Sequence, residues 1–184
     1  MPKERDRAED RAELPSLAPE PSLDMPIIDM SVDDDRWVTH QGLIQDMLEK
    51  VCSLIGLRHG ELSVVLTHDT RIASLNTQYR EKNNPTNVLS FPCLSLNAPV
   101  EISTLPQTPF LLGDIILAFE TITREAQEQG KLFSDHLAHL LVHGLLHLLG
   151  YDHVDDQQAD VMESFESEIL GRLGYDDPYS AKEV

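Results

Sequence analysis

The sequence predicts a single α+β domain: a mixed sheet of about four strands covered by helices, with a three-histidine metal site at the end of one helix. Three observations carry this. Apolar runs of strand length fall before residue 120, helical spacing fills most of the chain beyond it, and residues 143–153 read HGLLHLLGYDH. Grouped strands followed by helices are the pattern of an α+β or mixed-sheet fold.

The elements follow in order. Residues 1–24 mix charge, Ala and Pro with almost no large apolar side chain, so they are expected to form a disordered tail. PIIDMSV then suits a first strand. Asp33, Asp34 and Asp35 offer capping oxygens for a helix in which Trp37, Ile44, Met47, Val51 and Ile55 recur at helical spacing, ending near Gly56. ELSVVLTHD reads as a second strand, and TRIASLNTQYR as a helix capped by Asp69 or Thr70. After a turn at Asn83, Asn84 and Pro85, VLSFPC is a strand stopped by Pro92. Residues 94–111 hold prolines and no period, which predicts a loop. DIILAF is the fourth strand, and helices are expected over about 121–129, 133–149 and 156–172. The domain therefore runs over 25–175, with a flexible C-terminus at 176–184.

Composition sets further bounds. The 184 residues suit one domain; 41 % are hydrophobic and 25 % charged, ordinary for a soluble globular chain. No apolar run is long enough for a membrane span, and no apolar h-region marks a secretory signal. Acidic residues among the N-terminal arginines disfavour a transit peptide. Only Cys52 and Cys93 occur, read as two buried, reduced thiols of a cytoplasmic protein. The net charge of −18 argues against a protein that coats nucleic acid non-specifically, since phosphate contacts need Lys and Arg.

The histidines carry the chemistry. His143 and His147 are four apart, so on a helix both rings project from one face. Gly150 can end the helix in the left-handed conformation and let the chain bring His153 back to a third corner. Three neutral imidazoles leave a fourth tetrahedral position open, the pattern of a catalytic zinc. A zinc protease with this spacing places its general base directly after the first His, where this chain has Gly144. Peptide hydrolysis is disfavoured accordingly. His136 and His139 lie on nearly the same face and are readable as partners of the ligands, as a rival ligand, or as hydrogen-bonded core histidines. Asp152 either orients a ligand or solvates the turn. Asp155, Asp156 and Asp160 are read as capping the last helix.

The block AHLLVHGLLHLLGYDH, 138–153, closely resembles the YbeY family of bacterial endoribonucleases, also described as rRNA maturation factors. LNTQYREKNNPTNVLSFP, 75–92, resembles a second family stretch, and LGDIIL and MESFESEIL match weaker ones. Asn83 stands where many members have Asp. The resemblance implies that His143, His147 and His153 are ligands of one zinc ion per chain, and that Arg80 meets the substrate phosphate. It implies cleavage of single-stranded RNA in small-subunit rRNA maturation and ribosome quality control, in the cytoplasm, with ribosomal proteins as further partners and neither membrane nor DNA. Two other functions compete: a non-enzymatic zinc-containing ribosome-assembly factor, and another metallohydrolase such as a peptidase.

Overall fold

A computed structural model describes residues 25–96 and 98–180; the expected N-terminal tail, 1–24, lies outside them, as do residues 181–184 of the expected flexible C-terminus, whereas Asp177, Tyr179 and Ser180 of that segment are hydrogen-bonded. The strands are β1 (Ile27–Val32), β2 (Glu61–Thr67), β3 (Val88–Pro92) and β4 (Leu111–Ala118). The helices are α1 (Gln41–Ile55), α2 (Asp69–Arg80), α3 (Phe119–Glu128), α4 (Phe133–Leu148) and α5 (Asp156–Arg172). One mixed sheet has the order β1-β2-β4-β3, in which β1, β2 and β4 run parallel and β3 pairs antiparallel with β4. Parallel neighbours need a crossover connection, which α1 supplies between β1 and β2.

Alternation along the strands divides the core. Leu62, Val64, Leu66, Ile115 and Leu117 belong to a large cluster with residues of α1, α4 and α5. Leu89, Ile116 and Ala118, their neighbours in the pleat, pack instead with Ile72 and Leu75 of α2. Ten of the sixteen residues of α4 are buried, as expected of a helix that is apolar nearly all round. This helix lies against β3 and β4 and is flanked by α1, α3 and α5. It is therefore a rigid support for whatever side chains it carries.

Four details differ from the expectations. The helix anticipated from the aspartates to Gly56 is divided: a 3₁₀ turn over Asp35–His40 precedes α1. Asp34 caps that turn by accepting from the Arg36 backbone N–H, and Trp37 turns inward to donate its Nε1–H to the Thr67 carbonyl at 2.8 Å. The cap of α2 is His68, not Asp69 or Thr70. Asp69 instead accepts from the backbone N–H and hydroxyl of Thr121, at 3.1 and 2.8 Å, and so ties α2 to α3. The loop between β3 and β4 is not featureless: Leu105 is buried, and the Val100 N–H reaches the Leu149 carbonyl at the end of α4, at 2.9 Å.

The fourth correction concerns the cysteines. Cys52 is buried in α1, but Cys93, just past the end of β3, is exposed. Burial pushes the Cys52 thiol up to about 12. Brief treatment of the native protein with iodoacetamide is therefore expected to label Cys93 and spare Cys52. Mass spectrometry of digested protein checks this, with Cys52 labelled only after unfolding.

Candidate metal centre

The last two turns of α4 carry His143 and His147, and the chain turns back immediately beyond them. Gly150 makes this turn at φ +87°, and a Cβ there would stand only 2.5 Å from the Ala98 carbonyl oxygen. No other residue fits both the conformation and the space. His153 is thereby returned to the two helical rings: its centroid lies 5.5 Å from that of His143 and 5.0 Å from that of His147. One ligand atom from each of the three residues falls within 4.8 Å of the others.

Hydrogen bonds at the far nitrogens determine what the rings offer. His143 Nδ1 lies 2.8 Å from Glu166 Oε1, and His147 Nδ1 lies 3.0 Å from the Tyr151 carbonyl oxygen. Both partners only accept, so each Nδ1 carries the proton and each Nε2 presents a lone pair. Burial, and then the neighbouring His143 and His153, lower the His147 ring to about 4, which keeps it neutral at pH 7. Yet the two Nε2 atoms face each other at 3.0 Å. Two lone pairs at that separation repel unless a proton or a cation lies between them. Two nitrogens on one tetrahedral zinc would stand roughly 3.3 Å apart, close to what is found. With a third imidazole beside them, the donor set fits a divalent cation.

Arg80 ends α2 and is exposed, and its guanidinium forms no ion pair among the described residues. It lines a cavity of about 390 Å³ together with Ser90, His147, Tyr151, Asp152 and His153. Helix α2 and the end of α4 thus bring the predicted arginine and two of the predicted histidines to one opening. Asp152 accepts from the His153 backbone N–H at 2.8 Å and serves the turn, not a ring. Asp155 caps α5. His136 and His139 bond to Glu125 and Glu166, at 2.8 and 3.0 Å. Sequence reasoning missed Glu166 as part of the site. Its one signal is a carboxylate on the buried stripe of α5, between Met162 and Ile169.

Gly144 settles the matter of the absent glutamate. A Cβ at this position would meet Ile115 at 3.2 Å and Ser90 Oγ at 3.2 Å. The position faces the sheet, pressed against β3 and β4, and α4 sits as close as it does because nothing projects there.

Comparison with known proteins decides the family. A family model described as Endoribonuclease YbeY matches residues 29–174. The chain belongs to the YbeY family. Proteins named Endoribonuclease YbeY resemble it along most of their length: one from Paracoccus denitrificans is 42 % identical over 179 residues, covering 95 % of this chain and 99 % of its own. One from Ruegeria pomeroyi is 44 % identical over 161 residues, covering 83 % and 98 %. Another, from Paramagnetospirillum magneticum, is 55 % identical over 120 residues, 65 % of this chain and 71 % of its own. A solution structure of a Thermotoga maritima protein shares the fold, with a TM-score of 0.52 at 21 % identity, covering 84 % of this chain and 100 % of that one.

In this YbeY chain, Gly144→Glu is expected to destroy packing and not to create a protease. An unpaired carboxylate forced between α4 and Ile115 costs several kcal/mol. Urea unfolding followed by circular dichroism checks this, the expected result being loss of most of the cooperative transition, with no peptidase activity gained.

Proposed function

We propose that this chain is a metal-dependent endoribonuclease that cuts single-stranded RNA, acting in the maturation of small-subunit rRNA and in ribosome quality control, in the cytoplasm. The observation that carries the reading is the convergence of the His143 and His147 Nε2 atoms, with His153 beside them, at an opening that also presents Arg80. Relatives named Endoribonuclease YbeY, at 42 % and 55 % identity, support RNA as the substrate class.

In this reading His143, His147 and His153 hold one cation, with zinc favoured by the all-imidazole donor set. The cation supplies Lewis-acid stabilisation of charge building on the phosphorus oxygens. The other tasks belong to the protein. Glu166 and the Tyr151 carbonyl hold two of the rings in the Nδ1–H tautomer. Arg80, free of an ion pair among the described residues, presents a forked donor to a phosphate entering the cavity. The 2′-hydroxyl of RNA is a nucleophile within the substrate, which reduces the need for a carboxylate at position 144. The acidity of the body, net −18, confines anion binding to this opening and offers the rest of the surface to basic partners such as ribosomal proteins.

Cleavage of a labelled single-stranded RNA tests the proposal, with wild type, His143→Ala and Arg80→Ala purified identically and a chelated control. His143→Ala and chelation are expected to abolish cutting, and Arg80→Ala to lower kcat/KM about 10²-fold. Equal cutting by all samples would assign the activity to a contaminant. Substitution of 2′-deoxyribose at the cut site is expected to block cleavage there, and unchanged cleavage would remove the internal nucleophile from the scheme. Added zinc is also expected to raise the Tm of wild type and leave His143→Ala unmoved.

A further inference from the structure

We propose that Glu166 is a positioning residue of the metal centre, that Tyr179 and His139 hold it in place, and that this clasp sets the affinity for the cation. The inference rests on the three-histidine reading above.

Glu166 has no solvent exposure and sits on α5 among Met162, Ile169 and Leu170. An ionised carboxylate in such a place needs donors on both oxygens. It has three. Oε1 accepts from His143 Nδ1 at 2.8 Å, while Oε2 accepts from His139 Nε2 at 3.0 Å and from the Tyr179 hydroxyl. Burial pushes the Glu166 carboxyl up, but these bonds outweigh it and hold the group at about 2. The division of labour follows from the geometry. Oε1 is committed to the candidate ligand, and the two donors on Oε2 stop the carboxylate from rotating away from it.

Tyr179 reaches Glu166 from the segment beyond α5. Asp177 Oδ1 accepts from the Tyr179 backbone N–H at 3.0 Å and from the Ser167 hydroxyl of α5 at 2.8 Å, which pins the reversal of the chain. The Tyr179 ring then packs edge-on against His139, with centroids 5.4 Å apart. A residue 36 positions after His143 (179 − 143 = 36) thus reaches that ring through a single carboxylate. The atoms of His139, His143 and Glu166 also lie close enough to hold an ion among themselves. That would require both imidazoles to give up the protons they donate to Glu166. For a His143 already ligating through Nε2, this means an imidazolate, so the carboxylate acts as an acceptor and not as a ligand.

The test is metal binding by the full chain, read without RNA. Wild type, Glu166→Gln and Tyr179→Phe would be stripped with chelator and titrated with Co(II) against a chromophoric competitor. The visible d–d bands would be recorded, and the metal-free forms unfolded in urea. Wild type is expected to bind one Co(II) per chain. Glu166→Gln is expected to bind 10- to 100-fold more weakly with shifted bands. Tyr179→Phe, a change at a partly exposed ring that leaves His139 on Oε2, is expected to stay folded, with a cooperative metal-free transition at a lower midpoint, and to bind a few-fold more weakly, so the proposal remains testable should Glu166→Gln fail to fold. Wild-type affinity and bands in Tyr179→Phe and in any folded Glu166→Gln would overturn the clasp. So would a second Co(II) in wild type that Glu166→Gln loses, because it would make the carboxylate a ligand. If wild type itself binds no Co(II), the three-histidine reading fails, and the clasp with it.

Discussion

Everything at the candidate site depends on how closely α4 lies on the sheet. Contact is made at Gly144, where the helix has no side chain to hold it away from Ile115 and Ser90. A helix pressed down at that point, with ten buried residues, has one rotational setting. His143 and His147 leave it on the side where the chain turn returns His153, because those positions are not spent on the core. The side chain a zinc protease carries at 144 would press on Ile115 and Ser90 here, a matter of volume. Adjacent residues thus take different tasks: 143 turns its ring toward His147 and His153, and 144 faces the sheet.

The local parts of the fold were legible in the sequence because each leaves a period or a stop. Four apolar runs became four strands, and the spacing of His143, His147, Gly150 and His153 foretold a helix, a left-handed turn and three gathered rings. What stayed hidden involves partners distant in sequence. Asp69 reads as a cap, yet its acceptor capacity is taken by Thr121, 52 residues on. The division of Asp35–Ile55 into a 3₁₀ turn and a helix follows from Trp37 reaching the Thr67 carbonyl, and that neighbour belongs to another strand. Glu166 looks like one more acidic letter in MESFESEIL, since nothing in a single sequence says that three donors will meet it. For Arg80, the family resemblance alone pointed to the site; the structure places it at the same opening as His147 and His153.

Charge gives the opening its distinctness. A body carrying −18 repels a polyanion over most of its surface, so a phosphate has reason to approach only where positive potential is concentrated. An arginine without an internal counter-ion, set beside imidazoles that fit a cation, would provide that concentration in a volume of about 390 Å³. Recognition of this kind depends on a few groups at short range. It therefore depends on how well those groups are held, which ties the electrostatics back to the packing of α4.

The C-terminal contacts have a meaning for synthesis as well as for the finished molecule. A ribosome completes the last strand of the sheet at Ala118, before any of the three site histidines has been made. The three rings are present once residue 153 emerges, but the carboxylate that orients the first of them comes 13 residues later (166 − 153 = 13), and the hydroxyl that steadies the carboxylate 13 residues after that (179 − 166 = 13). A nascent chain of this sequence thus contains every strand before it contains any of these site groups, and it gains the rings, the carboxylate and the hydroxyl in that order.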